Sequence, residues 1–202
     1  MGLFDKFKLK GNRQHLRTDM EMNSLDKKEA DEAFKKYKKE LIDPLLKEYG
    51  FLKYKTNSYV RRNKVDVLEY VDLQKEQHGS KTFTVNCALT PLYVPHDFFC
   101  FDISIRIGKL ICNKDIWWDY GNVKIAKTGF ENVADAIETY AFPWFEAHST
   151  NEAIKEFLIE EKNRREKLSN NQEAWLVAIN NRDNNCSVIA DNVKLFSLPK
   201  NF

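Results

Sequence analysis

Apolar residues recur at spacings of three and four through Ala30, Ala33, Phe34, Tyr37, Leu41, Leu45 and Tyr49, the stripe of a helix laid on a core. Asp26 with Glu29 supplies a capping pair at its start. Gly50 supplies a left-handed stop at its end, with Phe51 packing just beyond. Pro44 removes one intrahelical hydrogen bond and predicts a kink or break near Leu41. The period then changes to two. Residues 54–62 and 65–77 read as strands joined by a turn at Arg62-Asn63-Lys64, the second with a bulge at Val67-Leu68. After a turn at Gln77-His78-Gly79-Ser80, Phe83, Val85, Cys87 and Leu89 alternate with Thr82, Thr84, Asn86 and Thr90. Phe99, Phe101, Ile103, Ile105 and Ile107 then alternate with Cys100, Asp102, Ser104 and Arg106.

The last third returns to helical spacing. Asn132 is placed to cap a helix carrying Val133, Ala136, Ile137 and Tyr140, ended by Pro143. Ser149 with Glu152 opens a second helix bearing Ile154, Phe157 and Leu158, and a third presents Ala174, Trp175, Ala178 and Ile179. The tail over residues 186–198 is apolar enough to dock without showing a clear period. Short connections between the extended runs favour antiparallel pairing. The fold expected is therefore α+β: a four-stranded antiparallel β-meander with one apolar and one polar face, packed against an N-terminal helix, with additional C-terminal helices. Its division is an N-terminal arm over 1–23, a core domain over 24–150 and a helical extension over 151–202.

Composition narrows the class. The 202 residues are 43% apolar and 13% aromatic, enough for one sizeable core. The longest nearly uncharged run, Pro91 to Phe101, is too short and proline-broken to cross a bilayer, and the first thirty residues lack a signal core. A cytoplasmic protein with no membrane partner is expected. The net charge of +2 hides a basic N-terminal third. Lys35, Lys36, Lys38 and Lys39, however, lie on a helix whose other face is apolar, where lysines solvate the outside, so nucleic acid is an unlikely partner. Cys87, Cys100, Cys112 and Cys186 show no two-residue spacing and no neighbouring His at a ligand spacing. They read as free thiols of a reducing compartment, with no metal and no cofactor expected.

No phosphate-cradling glycine loop, nucleophile elbow or paired-histidine zinc motif is present. Two constellations remain. Asp72, Gln74, Asn86, Asp102, Ser104 and Arg106 would share the polar face of the sheet, where amides and carboxylates can orient a ligand. Trp117 and Trp118 follow the last strand and point opposite ways if extended, so one is free to anchor a partner while the alternative has both capping the sheet. Asp115 and Asp119 beside them could form a carboxylate pair, but nothing raises either pKa or adds a third ligand.

Tyr49-Gly50-Phe51, Tyr59-x-Arg61-Arg62, Asp72-Leu73-Gln74-Lys75, Phe83-Thr84-Val85-Asn86 and Trp117-Trp118 together resemble the bacterial domain of unknown function numbered 4304, over roughly residues 30–150. The resemblance implies an intracellular bacterial domain without assigned catalytic residues. The leading expectation is a non-enzymatic binding module, immunity-like or regulatory, holding a protein partner on Asp72, Gln74, Asn86, Asp102, Arg106, Trp117 and Trp118. The alternatives are a small-molecule-binding or hydrolytic enzyme on the same polar face, and weak nucleic-acid binding through the basic N-terminal third.

Overall fold

The computed structural model of the chain describes residues 24–181, 186–200 and 202. The arm expected over 1–23 lies outside them. Helix α1 (Lys27–Tyr37) starts on the expected reciprocal cap, the Glu29 N–H donating to Asp26 Oδ1 at 2.8 Å and the Asp26 N–H to Glu29 Oε2 at 2.9 Å. Pro44 does not break the helical path. A π-turn (Lys38–Ile42) leads directly into α2 (Asp43–Glu48), the Asp43 N–H reaching back five residues to the Lys38 carbonyl. The widened turn takes the proline's missing donor and its ring out of the α-helical ladder. Gly50, at φ 81°, then ends the helix as expected.

The sheet carries more strands than the pattern predicts. β1 (Leu52–Lys53), β2 (Ser58–Arg62), β3 (Val67–Lys75), β4 (Thr82–Pro91) and β5 (Ile103–Arg106) pair in sequence order, all antiparallel. β6 (Trp118–Asp119) adds to the Thr82–Phe83 end of β4, making six strands. The meander is as expected, and the two additional strands are two residues each, too short to show a period. The β3–β4 register runs unbroken from Val67↔Pro91 to Lys75↔Phe83, so no bulge exists at Val67-Leu68. The apolar run there reflects burial on both faces instead.

The expected fourth strand is shorter at both ends. Ile107 opens helix α3 (Ile107–Cys112), and Phe99 and Phe101 precede β5. Phe99 packs edge-on against Phe101 at 5.2 Å and Phe196 at 5.1 Å, while Phe101 lies 4.6 Å from Tyr70 with 43% of its surface exposed, so it is not a core residue.

Helix α4 (Val123–Ala136) is capped ten residues before Asn132: the Asn122 side chain accepts the Lys124 N–H at 2.9 Å, and the buried stripe already includes Ala126 and Phe130. Pro143 is absorbed as Pro44 is. A π-turn (Ile137–Ala141) continues into α5 (Phe142–Ala147), the Phe142 N–H bonding to the Ile137 carbonyl. α6 (Asn151–Arg165) is capped by Thr150, whose hydroxyl accepts the Ala153 N–H at 3.2 Å; the Ser149 hydroxyl is already donated to the Glu146 carbonyl. α7 (Asn170–Asn181) and α8 (Cys186–Leu195) come next, so the ambiguous tail is largely helical.

These elements cover the two faces of the sheet differently. On one, Phe34 meets Phe83 edge-on at 5.2 Å and Phe130 stacks on Phe83 at 4.6 Å, placing α1 and α4 over the alternating apolar residues of β4. The other face is polar only in part. Val60, Leu68, Tyr70 and Ala88 lie there and are buried, and Phe99, Phe101 and Phe196 close over Tyr70. The Tyr54 hydroxyl donates to the Phe196 carbonyl at 2.6 Å, and Trp175 Nε1 donates to the Tyr93 hydroxyl at 2.9 Å. Among the described residues no helix is long and apolar enough to cross a membrane.

Candidate functional site

The uncovered part of that second face forms an open concavity of about 540 Å³. Gln74 from β3, Asn86 and Ala88 from β4, and Ser104 and Arg106 from β5 make its floor; Phe101, Lys109 and Asp115 rise around it. Strand pairing sets the floor, since Asn86 stands opposite Arg106 and Ala88 opposite Ser104. Asn86 Nδ2 donates to Gln74 Oε1 at 2.9 Å, fixing both amides. Arg106 Nη1 reaches Asp115 Oδ2 at 2.6 Å, and Lys109 Nζ stands 3.9 Å from the other carboxylate oxygen. The Arg106 guanidinium also lies 5.5 Å from the Trp117 ring centre, and that indole is 37% exposed.

A glycine holds Asp115 in place. A Cβ added at Gly108 would stand 2.4 Å from the Lys114 carbonyl oxygen and 2.5 Å from the Ile116 nitrogen. Only a residue without a side chain lets α3 lie that close to the segment carrying Asp115 and Trp117.

The sequence-derived residues divide. Gln74, Asn86 and Arg106 meet at the concavity, and Trp117 joins them through Arg106. Asp72 shares their side of the sheet but is tied to Ser58, whose hydroxyl donates to Oδ1 at 2.8 Å and accepts from Tyr70 at 2.9 Å. Burial pushes the Asp72 carboxyl up from its ordinary value against the pull of Ser58 and Asn86. Trp118 turns into β6 and packs 6.2 Å from Phe83, so the two tryptophans split between rim and sheet cap. Asp115 and Asp119 do not pair, because Asp119 Oδ1 accepts the Gly121 N–H at 2.6 Å. Lys109 and Asp115 were missed as lining residues because α3 and the segment after it bring them in from outside the alternating strands, and Phe101 because the alternation assigned it to the apolar face.

Asp102 is elsewhere. It is 7% exposed and lies with His96 and Cys100 in a cluster whose donor atoms all fall within 4.8 Å of one another. Cys100 Sγ is 3.6 Å from His96 Nδ1 and 3.8 Å from Asp102 Oδ1, and His96 Nε2 is 3.7 Å from Asp102 Oδ2. This corrects the expectation that no cysteine has a neighbouring His at a ligand spacing. The three residues lie in the loop between β4 and β5, outside any helix or strand, so helical and strand periods did not bring them together. Burial, then the neighbouring Asp102 charge, pushes the Cys100 thiol up to about 11, the opposite of an activated nucleophile. Burial likewise raises the Asp102 carboxyl, with the neighbouring His96 opposing the rise.

One lysine also departs from expectation. Lys38 does not solvate the helix exterior; it is 4% exposed, and its ammonium donates to Asp43 Oδ1 at 2.9 Å and to the Tyr59 hydroxyl at 3.1 Å. Tyr59 in turn donates to Asp43 Oδ1. Burial pulls the Lys38 ammonium below its ordinary value against Asp43, and pushes the Tyr59 phenol far above its own. Burial alone would raise Asp43, but the bonds from Tyr59 and Lys38 hold its carboxyl low. The triad is closed, with every charge answered, and pins the π-turn to β2.

The family model for the domain of unknown function DUF4304 matches residues 42–147, just over half the chain. The chain belongs to that family. No curated protein and no solved structure matches it. The DUF4304 region begins within the first π-turn and ends with α5. It contains every lining residue of the concavity, whereas α6, α7 and α8 lie beyond it.

Proposed function

We propose that this DUF4304 protein is a non-enzymatic binding module, immunity-like or regulatory, that holds a protein partner on the open part of its sheet. The observation that carries the reading is the Arg106 site itself. A guanidinium bonded to the exposed Asp115 carboxylate, beside the exposed faces of Trp117 and Phe101, offers a charged anchor next to an apolar rim. A partner segment presenting its own carboxylate takes the place of Asp115 and lays an apolar side chain between the two rings. Four unpaired cysteines support a reducing setting, the cytoplasm of a bacterium.

The test captures partners on wild-type chain, identifies them, and measures their affinity by calorimetry for wild type, Trp117→Ala and Arg106→Ala. Each substitution is expected to weaken binding by about 2–4 kcal/mol while leaving the fold intact. Equal affinity for all three folded proteins overturns the proposal. The size of the concavity favours a second reading, a small polar ligand held by Gln74, Asn86, Ser104 and Arg106, since about 300–1,000 Å³ is ordinary for such sites. A hydrolytic version has less support, because Asp72 and Asp102 occupy separate surroundings.

A further inference from the structure

His96, Cys100 and Asp102 have no part in the concavity, yet they bring a nitrogen, a sulfur and an oxygen donor together. The side chains of His96 and Asp102 are each 1% exposed. Asp102 Oδ2 is buried without a hydrogen-bond partner, an orphaned carboxylate oxygen beside the two other donors. Such an atom is costly to leave unanswered. The geometry points to a binding site for one zinc-class divalent transition ion, ligated by Cys100 Sγ, His96 Nδ1 and the Asp102 carboxylate, with water completing the shell.

The surroundings suit that assignment. His96 Nε2 lies 3.1 Å from the Pro91 carbonyl oxygen, so the proton belongs on Nε2 and the Nδ1 lone pair faces the sulfur. Asn171 Nδ2 donates to Cys100 Sγ at 3.1 Å, a bond that strengthens once the sulfur is a thiolate. The backbone of the ligands is held as well: Thr90 Oγ1 donates to the Cys100 carbonyl at 2.7 Å and Gln172 Nε2 to the Asp102 carbonyl at 2.8 Å. The sulfur–nitrogen and sulfur–oxygen separations, 3.6 Å from Cys100 Sγ to His96 Nδ1 and 3.8 Å to Asp102 Oδ1, are close to those between neighbouring ligands of a tetrahedral ion with bonds of about 2.0–2.3 Å. A mixed S, N, O set selects zinc, cobalt or a similar ion over calcium and magnesium, which take oxygen. On binding, the Cys100 thiol releases its proton to water. One thiolate, one carboxylate and one divalent cation then sum to zero charge in a buried place. Through Asn171 and Gln172 the ion would also fasten the β4–β5 loop to α7.

The full chain, stripped with a chelator, is titrated with Zn²⁺ by calorimetry and with Co²⁺ by absorption. One ion per chain is expected, with a thiolate-to-cobalt charge-transfer band in the near ultraviolet. Cys100→Ser should abolish that band, while Cys112→Ser and Cys186→Ser keep it. Asn171→Ala should weaken zinc binding by about 10–100-fold, as loss of a bond to a ligand does. A wild-type cobalt complex without the band overturns the assignment, as does no uptake of either ion, or an undiminished band in Cys100→Ser. The wild-type spectrum decides even if substitutions at His96 or Asp102 prevent folding.

Discussion

Arg61 joins three parts of the fold through one side chain. Its Nε bonds to Glu69 Oε2 at 2.5 Å, its Nη1 donates to the Tyr49 carbonyl at 2.7 Å, and its guanidinium stacks 4.6 Å from the Phe51 ring centre. Tyr49, Phe51 and Arg61 all belong to the motif that carries the family resemblance, so that part of the signature records structure. Gln74 and Asn86, from its other pieces, are bonded to each other in the candidate site. Strand alternation placed both on the polar face, and the β3–β4 register then brings them within bonding reach. His148 supplies a prediction. It is 7% exposed, its ring lies between Trp144 and Phe157, and burial lowers its pKa against the opposing bond to the Trp144 carbonyl. The unfolded chain takes up this proton near its ordinary value of about 6.5, whereas the folded chain resists until lower pH. The contribution to stability is therefore complete above that range and lost as the pH falls through it. Thermal melts of wild type between about pH 7.5 and 5.5 should show a decline that His148→Gln flattens; identical slopes in the two proteins contradict it.

The helix before β1 shows why a period can be read correctly and its residues still misassigned. Its buried positions are Ala30, Phe34, Lys38, Ile42 and Leu46, spaced by four throughout. In a straight α-helix each step of four overshoots a full turn by about 40°, so Leu46 would point well away from Ala30. The π-turn absorbs the overshoot and keeps one face toward the sheet. Expecting regular geometry selects Leu41, Leu45 and Tyr49 instead, and Tyr49 is 39% exposed. For β5 the two-residue period holds within the strand. Ile103 is 4% exposed, while Ser104 is exposed on the opposite side. Ile103→Asp should cost more than about 4 kcal/mol and unfold the chain, and Ser104→Asp should stay within about 0.5 kcal/mol. Chemical denaturation of both variants checks this, and equal midpoints would sink the assignment of faces.

Across the whole chain, contacts between distant segments decide what the sheet can expose. Asn192 is 2% exposed and donates to the carbonyls of Leu92 at 2.8 Å and Val94 at 2.7 Å, tying α8 to the end of β4 across about a hundred residues. Asn192→Leu should leave both carbonyls buried and unpaired, at about 1–3 kcal/mol each. Calorimetric melting should show the loss, and an unchanged melting temperature would mean the C-terminal helices are not held this way. The amino-acid order by itself determined the helix cap at Asp26, the stop at Gly50, the antiparallel meander and the family, because each rests on neighbours in the chain or on a short period. Tertiary structure alone decided that both prolines would be passed by π-turns, that Lys38 would be buried, and that the polar face would be half covered. It also decided that Asp102 would leave Arg106 for His96 and Cys100. Those outcomes depend on which surfaces meet after the chain has folded back on itself, and no local period encodes such a meeting.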